Sequence, residues 1–256
     1  MATAAAATSS NSITFDKEVL PILEKRCQDC HRPGEAAPMS LLTYEDARPW
    51  AKSIREAVLT RKMPPWFADP HFGKFSNDRS LSQAEIDTIV AWVDGGAKEG
   101  DPKDAPPPRK FVDGWTIGQP DLVLEMPTPV DVPATGQLEY RYVVLPTKLT
   151  EDRWILASEI RPGNRAVIHH VNAFIREPGT TTWLADAKPG VAFVAHNEYH
   201  SADLSVGITS YVPGMLLRPA NDGPRRAILI KAGSDIALQL HYAPNGKATT
   251  DRTKVG

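Results

Sequence analysis

Cysteine is nearly absent. The 256 residues contain two, Cys27 and Cys30, which excludes a disulfide framework for a chain of this length. No apolar run approaches the roughly 18 residues of a membrane-spanning helix. Neither sign of charge dominates: 29 basic and 31 acidic residues leave −2, which argues against a surface that tracks nucleic-acid phosphates. The first ten residues are rich in alanine and serine. They lack the basic start and the apolar stretch of about 7–15 residues that mark an intact secretory signal, and read as the remnant of one or as an appended start. Proline, in contrast, is abundant at 23 residues, about 9% against a usual 5% or so, which implies many turns and an extended linker. The 41% hydrophobic and 23% charged fractions exclude disorder as the main state. The length fits one large or two small domains.

The pattern changes character along the chain. Residues 14–98 read as helical. Thr14 is placed to cap a first helix carrying Phe15, Val19 and Leu23, with a kink at Pro21. Tyr44, Ala47, Ala51, Ile54 and Val58 form a continuous apolar stripe that predicts a second helix from near Thr43, stopped by Pro64-Pro65. Ser82 with Glu85 is a capping box for a third helix striped by Ile86, Ile89, Val90 and Val93 and ended by Gly95-Gly96. Residues 101–119, with Pro106-Pro107-Pro108, read as a semi-rigid linker.

From residue 120 the period becomes two: Leu138, Tyr140, Tyr142 and Val144 alternate with Glu139 and Arg141. Further strands are predicted over 121–126, 154–160, 166–176, 191–195, 207–212, 226–231 and 235–242, punctuated by Pro-Gly turns. This predicts an antiparallel sandwich or jelly roll. Lys254-Val255-Gly256 reads as an interrupted strand start, so a longer parent protein is expected.

The two cysteines sit in Cys27-Gln28-Asp29-Cys30-His31. Two thiols on one turn can add to the two vinyl groups of a porphyrin, and the adjacent imidazole can reach the iron. A zinc site would need two more soft ligands, and no other cysteine exists. A redox dithiol should follow a strand in a βαβ pattern, whereas this motif ends a helix. A sixth ligand is expected about 25–60 residues downstream. Met39 is too near. Met63, in Lys62-Met63-Pro64-Pro65-Trp66, is the candidate, with His71 its rival and gap-filling core packing the ordinary alternative for a methionine.

Over about residues 13–100 the chain resembles the small class I type cytochromes c. The resemblance rests on Cys27–His31, Met63-Pro64 and the closing helix from Leu81 to Ala97. It implies a small all-α cytochrome c domain with a covalent haem c, axial ligands His31 and Met63, and one-electron transfer as its task. It also implies maturation outside the cytoplasm, in a periplasmic or otherwise exported protein.

Five of the seven histidines lie in the β region: His169, His170, His196, His200 and His241. Imidazole suits copper, zinc, iron and nickel. Adjacent residues on a regular strand face opposite ways, so His169 and His170 can share a metal only on a bulged strand or at its edge. A lone histidine in a core is ordinarily a hydrogen-bonded structural residue. A pair inside the apolar stretch Val167–Phe174 would bury two polar rings. His196 and His200, in His-Asn-Glu-Tyr-His, read better as loop residues than as ligands.

Residues 120–246 resemble the first domain of the type II copper, ascorbate-dependent monooxygenases, the peptidylglycine α-hydroxylating and dopamine β-monooxygenase family. The shared features are the His169-His170 pair on one strand, Leu238-Gln239-Leu240-His241-Tyr242, and Tyr211-Val212-Pro213-Gly214-Met215 before it. The resemblance implies that His169, His170 and His241 jointly hold the electron-transfer copper. The family's second copper uses a His-x-His pair, which does not occur here.

These readings combine into a cytochrome c domain over 13–100, a linker over 101–119 and an incomplete copper monooxygenase-like β-sandwich over 120–256. The expected function is single-electron delivery to copper for O2-dependent hydroxylation in an intact protein. Expected partners are redox proteins or a small reductant, with no nucleic acid and no transmembrane segment. The alternatives are an electron-transfer cytochrome with a non-catalytic β-sandwich for binding, or a thiol-disulfide enzyme using Cys27 and Cys30.

Overall fold

A computed structural model describes residues 12–112, 114–179, 187–194, 206–215 and 227–256. The chain divides into two compact units, Met1–Lys110 and Phe111–Gly256. None of its described helices is long and apolar enough to cross a membrane.

In the first unit Thr14 does not cap a helix through its side chain. Its N–H and its hydroxyl both donate to Glu18 Oε2, at 2.8 and 3.1 Å. A π-helical turn, Phe15–Val19, runs directly into α1 (Leu20–Arg26). Pro21 is the second residue of α1, just past the point where the π-helical turn gives way to the α-helix. The stripe predicted as one helix is divided into α2 (Tyr44–Ala47), a 3-10 turn Arg48–Trp50, and α3 (Ala51–Leu59). Pro49 lies at the break and has no N–H to continue the α ladder. α4 (Gln83–Asp94) has its full capping box: Ser82 Oγ accepts from Glu85 N–H at 3.2 Å, and Glu85 Oε2 accepts from Ser82 N–H at 2.7 Å. Phe15, Leu23, Ile54, Val58, Ile86, Ile89 and Trp92 pack into one core. The Trp92 indole N–H donates to Lys98 O at 2.8 Å.

In the second unit the strands are β1 (Leu124–Glu125), β2 (Val130–Val132), β3 (Arg141–Pro146), β4 (Arg153–Ile155), β5 (Ile160–Arg161), β6 (Ile168–Arg176), β7 (Val206–Tyr211), β8 (Ile228–Ile230), β9 (Asp235–Tyr242), β10 (Thr249–Asp251) and β11 (Lys254–Val255). They pair antiparallel as four sheets, in the orders β1-β11-β5, β10-β2, β3-β9-β6-β7 and β4-β8. In the four-stranded sheet Ile236, Leu238, Leu240 and Tyr242 of β9 point into the core with Val143, Leu145, Val171, Ala173 and Ile175. The opposite face carries Tyr142, Gln239, Asn172, His170 and His241.

The expected fold class, a small all-α cytochrome c domain followed by an antiparallel jelly-roll-like sandwich, is corrected by this architecture. Among the described residues no small all-α cytochrome domain is seen. The α-helices are few and short, and strand residues outnumber α-helical ones. Residues 27–43 and 60–82 run mostly as turns and irregular backbone, where Pro64, Pro65, Pro70 and Gly73 prevent a helix from propagating. The strands are antiparallel as expected, but they form small sheets because many are only two or three residues long. The predicted strand over 154–160 is split between β4 and β5, and Leu138 and Tyr140 precede β3.

The segment predicted as a linker is shared between the units. A 3-10 turn at Pro102–Asp104 belongs to the first. In the second, the buried Glu159 carboxylate accepts from the N–H groups of Thr116 and Ile117 at 2.6 and 3.2 Å.

Candidate metal and cofactor sites

The register between β6 and β9 builds the first site. Ile168 pairs with Tyr242, and the next pair is His170 with His241. β6 therefore carries one extra residue, His169, at a bulge. The bulge removes the strict alternation that would send His169 and His170 to opposite faces. Their Nδ1 atoms lie 2.9 Å apart. The rings of His169, His170 and His241 stand 5.0–5.2 Å from one another between centroids. One ligand atom from each falls within 4.8 Å of the others, the one such group of His, Cys, Asp or Glu side chains among the described residues.

The local chemistry fits a borderline metal ion. His169 is exposed, while His170 and His241 are half-buried. Burial, together with neighbouring His241 and His169, holds His170 below the usual histidine range. Burial, with His169, does the same for His241. Both are therefore held in the neutral form that ligates metals. His241 Nδ1 is buried with no hydrogen-bond partner. Such an orphaned nitrogen is costly unless something occupies its lone pair or takes its proton. Three imidazoles brought this close suit copper or zinc.

Sequence reasoning did not single out Tyr140, whose ring lies 4.6 Å from His241 and 5.5 Å from His170 between centroids. The signal was present in the alternation. Tyr142 pairs with Gln239, so Tyr140, two residues earlier, falls beside His241 on the same face.

The second site is the Cys27–His31 turn. Cys27 ends α1, and the N–H groups of Cys30 and His31 donate to Cys27 O at 3.1 and 3.0 Å. Both thiols are free. Burial, then the neighbouring Cys30 and Glu85, pushes the Cys27 thiol up to about 12. Burial also raises the Cys30 thiol. His31 is buried, and its Nδ1 lies 3.2 Å from Met39 O. With Nδ1–H donating to that carbonyl, Nε2 is the nitrogen that could ligate a metal. Burial lowers the His31 pKa and favours the neutral ring. Between the cysteines, Asp29 pairs with Arg79 at 2.9 Å and Arg109 at 2.6 Å, while Arg26 pairs with Glu85 at 3.1 Å. The turn is thus clamped to residues 79, 85 and 109.

Met39 offers His31 its carbonyl. Met63 is 43% exposed, with its N–H on Ala57 O at 3.2 Å. The rival His71 is exposed and holds Asp69 Oδ1 through Nδ1 at 2.7 Å. Among the described residues neither Met63 nor His71 makes a hydrogen bond with His31. Met63 does open an unusually bare apolar stretch: Phe67 is 91% and Phe72 86% exposed, and Phe75 is half-exposed. His196 and His200 lie outside the described residues. Comparison with protein-family models, with curated proteins and with solved structures returned no match.

Proposed function

We propose that this chain is an exported one-electron transfer protein with two redox sites: a covalent haem that Cys27, Cys30, His31 and Met63 would hold, and a copper ion that His169, His170 and His241 would hold. The observation that carries the reading is the bulge in β6, which answers the geometric objection to two adjacent histidines sharing one ion. Bound at these residues, the two groups supply one-electron redox chemistry, which a copper monooxygenase centre would use for O2-dependent hydroxylation. The chain's own residues do the rest. Met39 O orients the His31 ring, burial favours the neutral forms of His31, His170 and His241, and Asp29 with Arg79 and Arg109 holds the attachment turn. The exposed apolar stretch around Phe67, Phe72 and Phe75 offers surface that a flat apolar group can cover.

The thiol-disulfide alternative is disfavoured by the Cys27 thiol. A catalytic dithiol needs a depressed pKa, and this one is raised to about 12. Iron and copper are to be counted per chain in protein matured in a periplasm with copper supplied. About one of each is expected. Iron without copper would leave a haem protein whose β region has another purpose, and copper without iron would remove the haem reading.

A further inference from the structure

The bulge that gathers the three histidines sits between two chain segments that a single carboxylate ties together. Asp251, at the end of β10, is 1% exposed. Its Oδ1 accepts the N–H of Asn164 at 2.8 Å. Its Oδ2 accepts the hydroxyls of Tyr242 at 3.1 Å and of Thr253 at 2.8 Å. Asn164 lies in the turn that leads into β6, and Val167 N–H returns to Asn164 O at 3.3 Å. Tyr242 is the last residue of β9 and the partner of Ile168, the residue just before the bulge.

Two further contacts close the same region. Asn164 Nδ2 donates to Thr249 Oγ1 at 2.9 Å, and Ala243 N–H donates to Val167 O at 2.8 Å. A Cβ at Gly163 would come within 2.7 Å of Arg252 O, so the turn is pressed directly on the backbone beyond β10.

We infer that Asp251 is the positioning residue of the three-histidine site: it fixes the start of β6 against the end of β9 with one residue in excess, and so turns His169 onto the face of His170 and His241. The inference rests on the copper reading above for the affinity it affects, while the ring arrangement it controls exists without metal. A regular β6–β9 ladder would need Asn164 and Tyr242 to move relative to each other by one residue. Two hydrogen bonds to one buried carboxylate oppose that slip. Outer partners that orient ligands contribute about 10–100-fold to metal affinity.

The test uses the full chain and Cu(II), with Asp251→Ala, Asp251→Asn and, as control, Glu159→Gln, which alters another buried carboxylate of the same unit. Two readouts are taken: Cu(II) affinity with the EPR spectrum of the bound ion, and ring–ring NMR contacts between His169 and His241 in metal-free protein. Asp251→Ala is expected to weaken copper by about 10–100-fold, change the spectrum and lose the ring contact. Asp251→Asn keeps an oxygen for Asn164 and can donate to Tyr242 Oη, so it should restore most of both. Glu159→Gln should lower thermal stability with neither readout changed. If Asp251→Ala does not fold, Tyr242→Phe removes only the hydroxyl arm and is expected to weaken copper in the same direction. The inference is overturned if Asp251→Ala keeps the ring contact, or if Glu159→Gln loses it equally. A wild-type chain that takes no copper overturns the copper reading alone, because the metal-free ring contact still decides the role of Asp251.

Discussion

His169 and His170 are sequence neighbours on one strand, yet their Nδ1 atoms lie 2.9 Å apart. Two nitrogens this close can share a proton or bind one ion between them, and His241 completes the group from the next strand. Replacing any one of the three with alanine is therefore expected to reduce copper affinity by about two orders of magnitude, at least the upper end of what losing an outer-shell partner does. Isothermal titration of the three single variants checks this. Full affinity in His169→Ala would show that the bulge residue is not a ligand.

The same histidines set a pH dependence. His170 and His241 have pKa values lowered by burial and by their histidine neighbours. The unfolded chain, with histidine near 6.5, binds more protons than the native state as pH falls through that value. Their contribution to stability is thus fully present above about pH 6.5 and is lost as the pH falls toward their native pKa values. Metal-free protein is expected to show a falling melting temperature over that acid range. The double variant His170→Ala/His241→Ala should show a flatter profile, with His31 accounting for part of what remains. Copper should steepen the loss, because protons and metal compete for the same nitrogens.

The core of the first unit gives a stability expectation of known size. Trp92 is fully buried, packs at 5.8 Å from Phe15 between ring centroids and donates to Lys98 O. Trp92→Ala is expected to destabilise by about 3–5 kcal/mol. Ser82→Ala removes one arm of the capping box on α4 and is expected to cost about 1 kcal/mol. Urea titration followed by far-UV circular dichroism measures both. Equal effects would mean that the helix cap, not the core, limits the unit.

Local signals carried far in this chain, and long-range ones did not. The capping box at Ser82 and Glu85 was legible because both partners lie within one turn of backbone. The histidine set was legible as residue types at strand positions. The bulge that unites it was not, since an extra residue in β6 is defined only by its register against β9, about seventy positions later. Tyr140 escaped notice as a site residue for the same reason. The helical stripe from Tyr44 to Val58 misled in the other direction. Its apolar spacing survives a break, so Pro49 could divide it without disturbing the pattern. The small all-α domain failed likewise, because a motif and two stripes say nothing of the irregular backbone over 27–43 and 60–82.

The two thiols should differ in reactivity before any haem is attached. Cys27 is held protonated by burial, with a pKa of about 12, whereas Cys30 is shifted by burial and partly compensated by Arg79. In chain made without haem, iodoacetamide near neutral pH is expected to label Cys30 first and Cys27 slowly, because the thiolate is the reacting form. Mass spectrometry of timed digests reads the order. If the haem proposal holds, neither should label in matured protein, since thioether formation would consume both sulfurs. Rapid labelling of both in matured protein would favour the thiol-disulfide alternative.

On the haem proposal, whether Met63 or His71 would join His31 in holding the iron has a redox consequence. Methionine paired with histidine as haem ligands raises the reduction potential relative to two histidines. His71 is engaged with Asp69 through Nδ1 at 2.7 Å and would present Nε2 from an exposed loop. Met63 lies four residues past the end of α3, its N–H bonded to Ala57 O, and begins the bare apolar stretch that includes Phe67 and Phe72. Met63→His is therefore expected to lower the potential of the matured protein and to give a bis-histidine spectrum. His71→Ala should leave both unchanged. Potentiometry on the two variants separates the assignments: a potential that moves with His71 and not with Met63 would transfer the ligand role to His71.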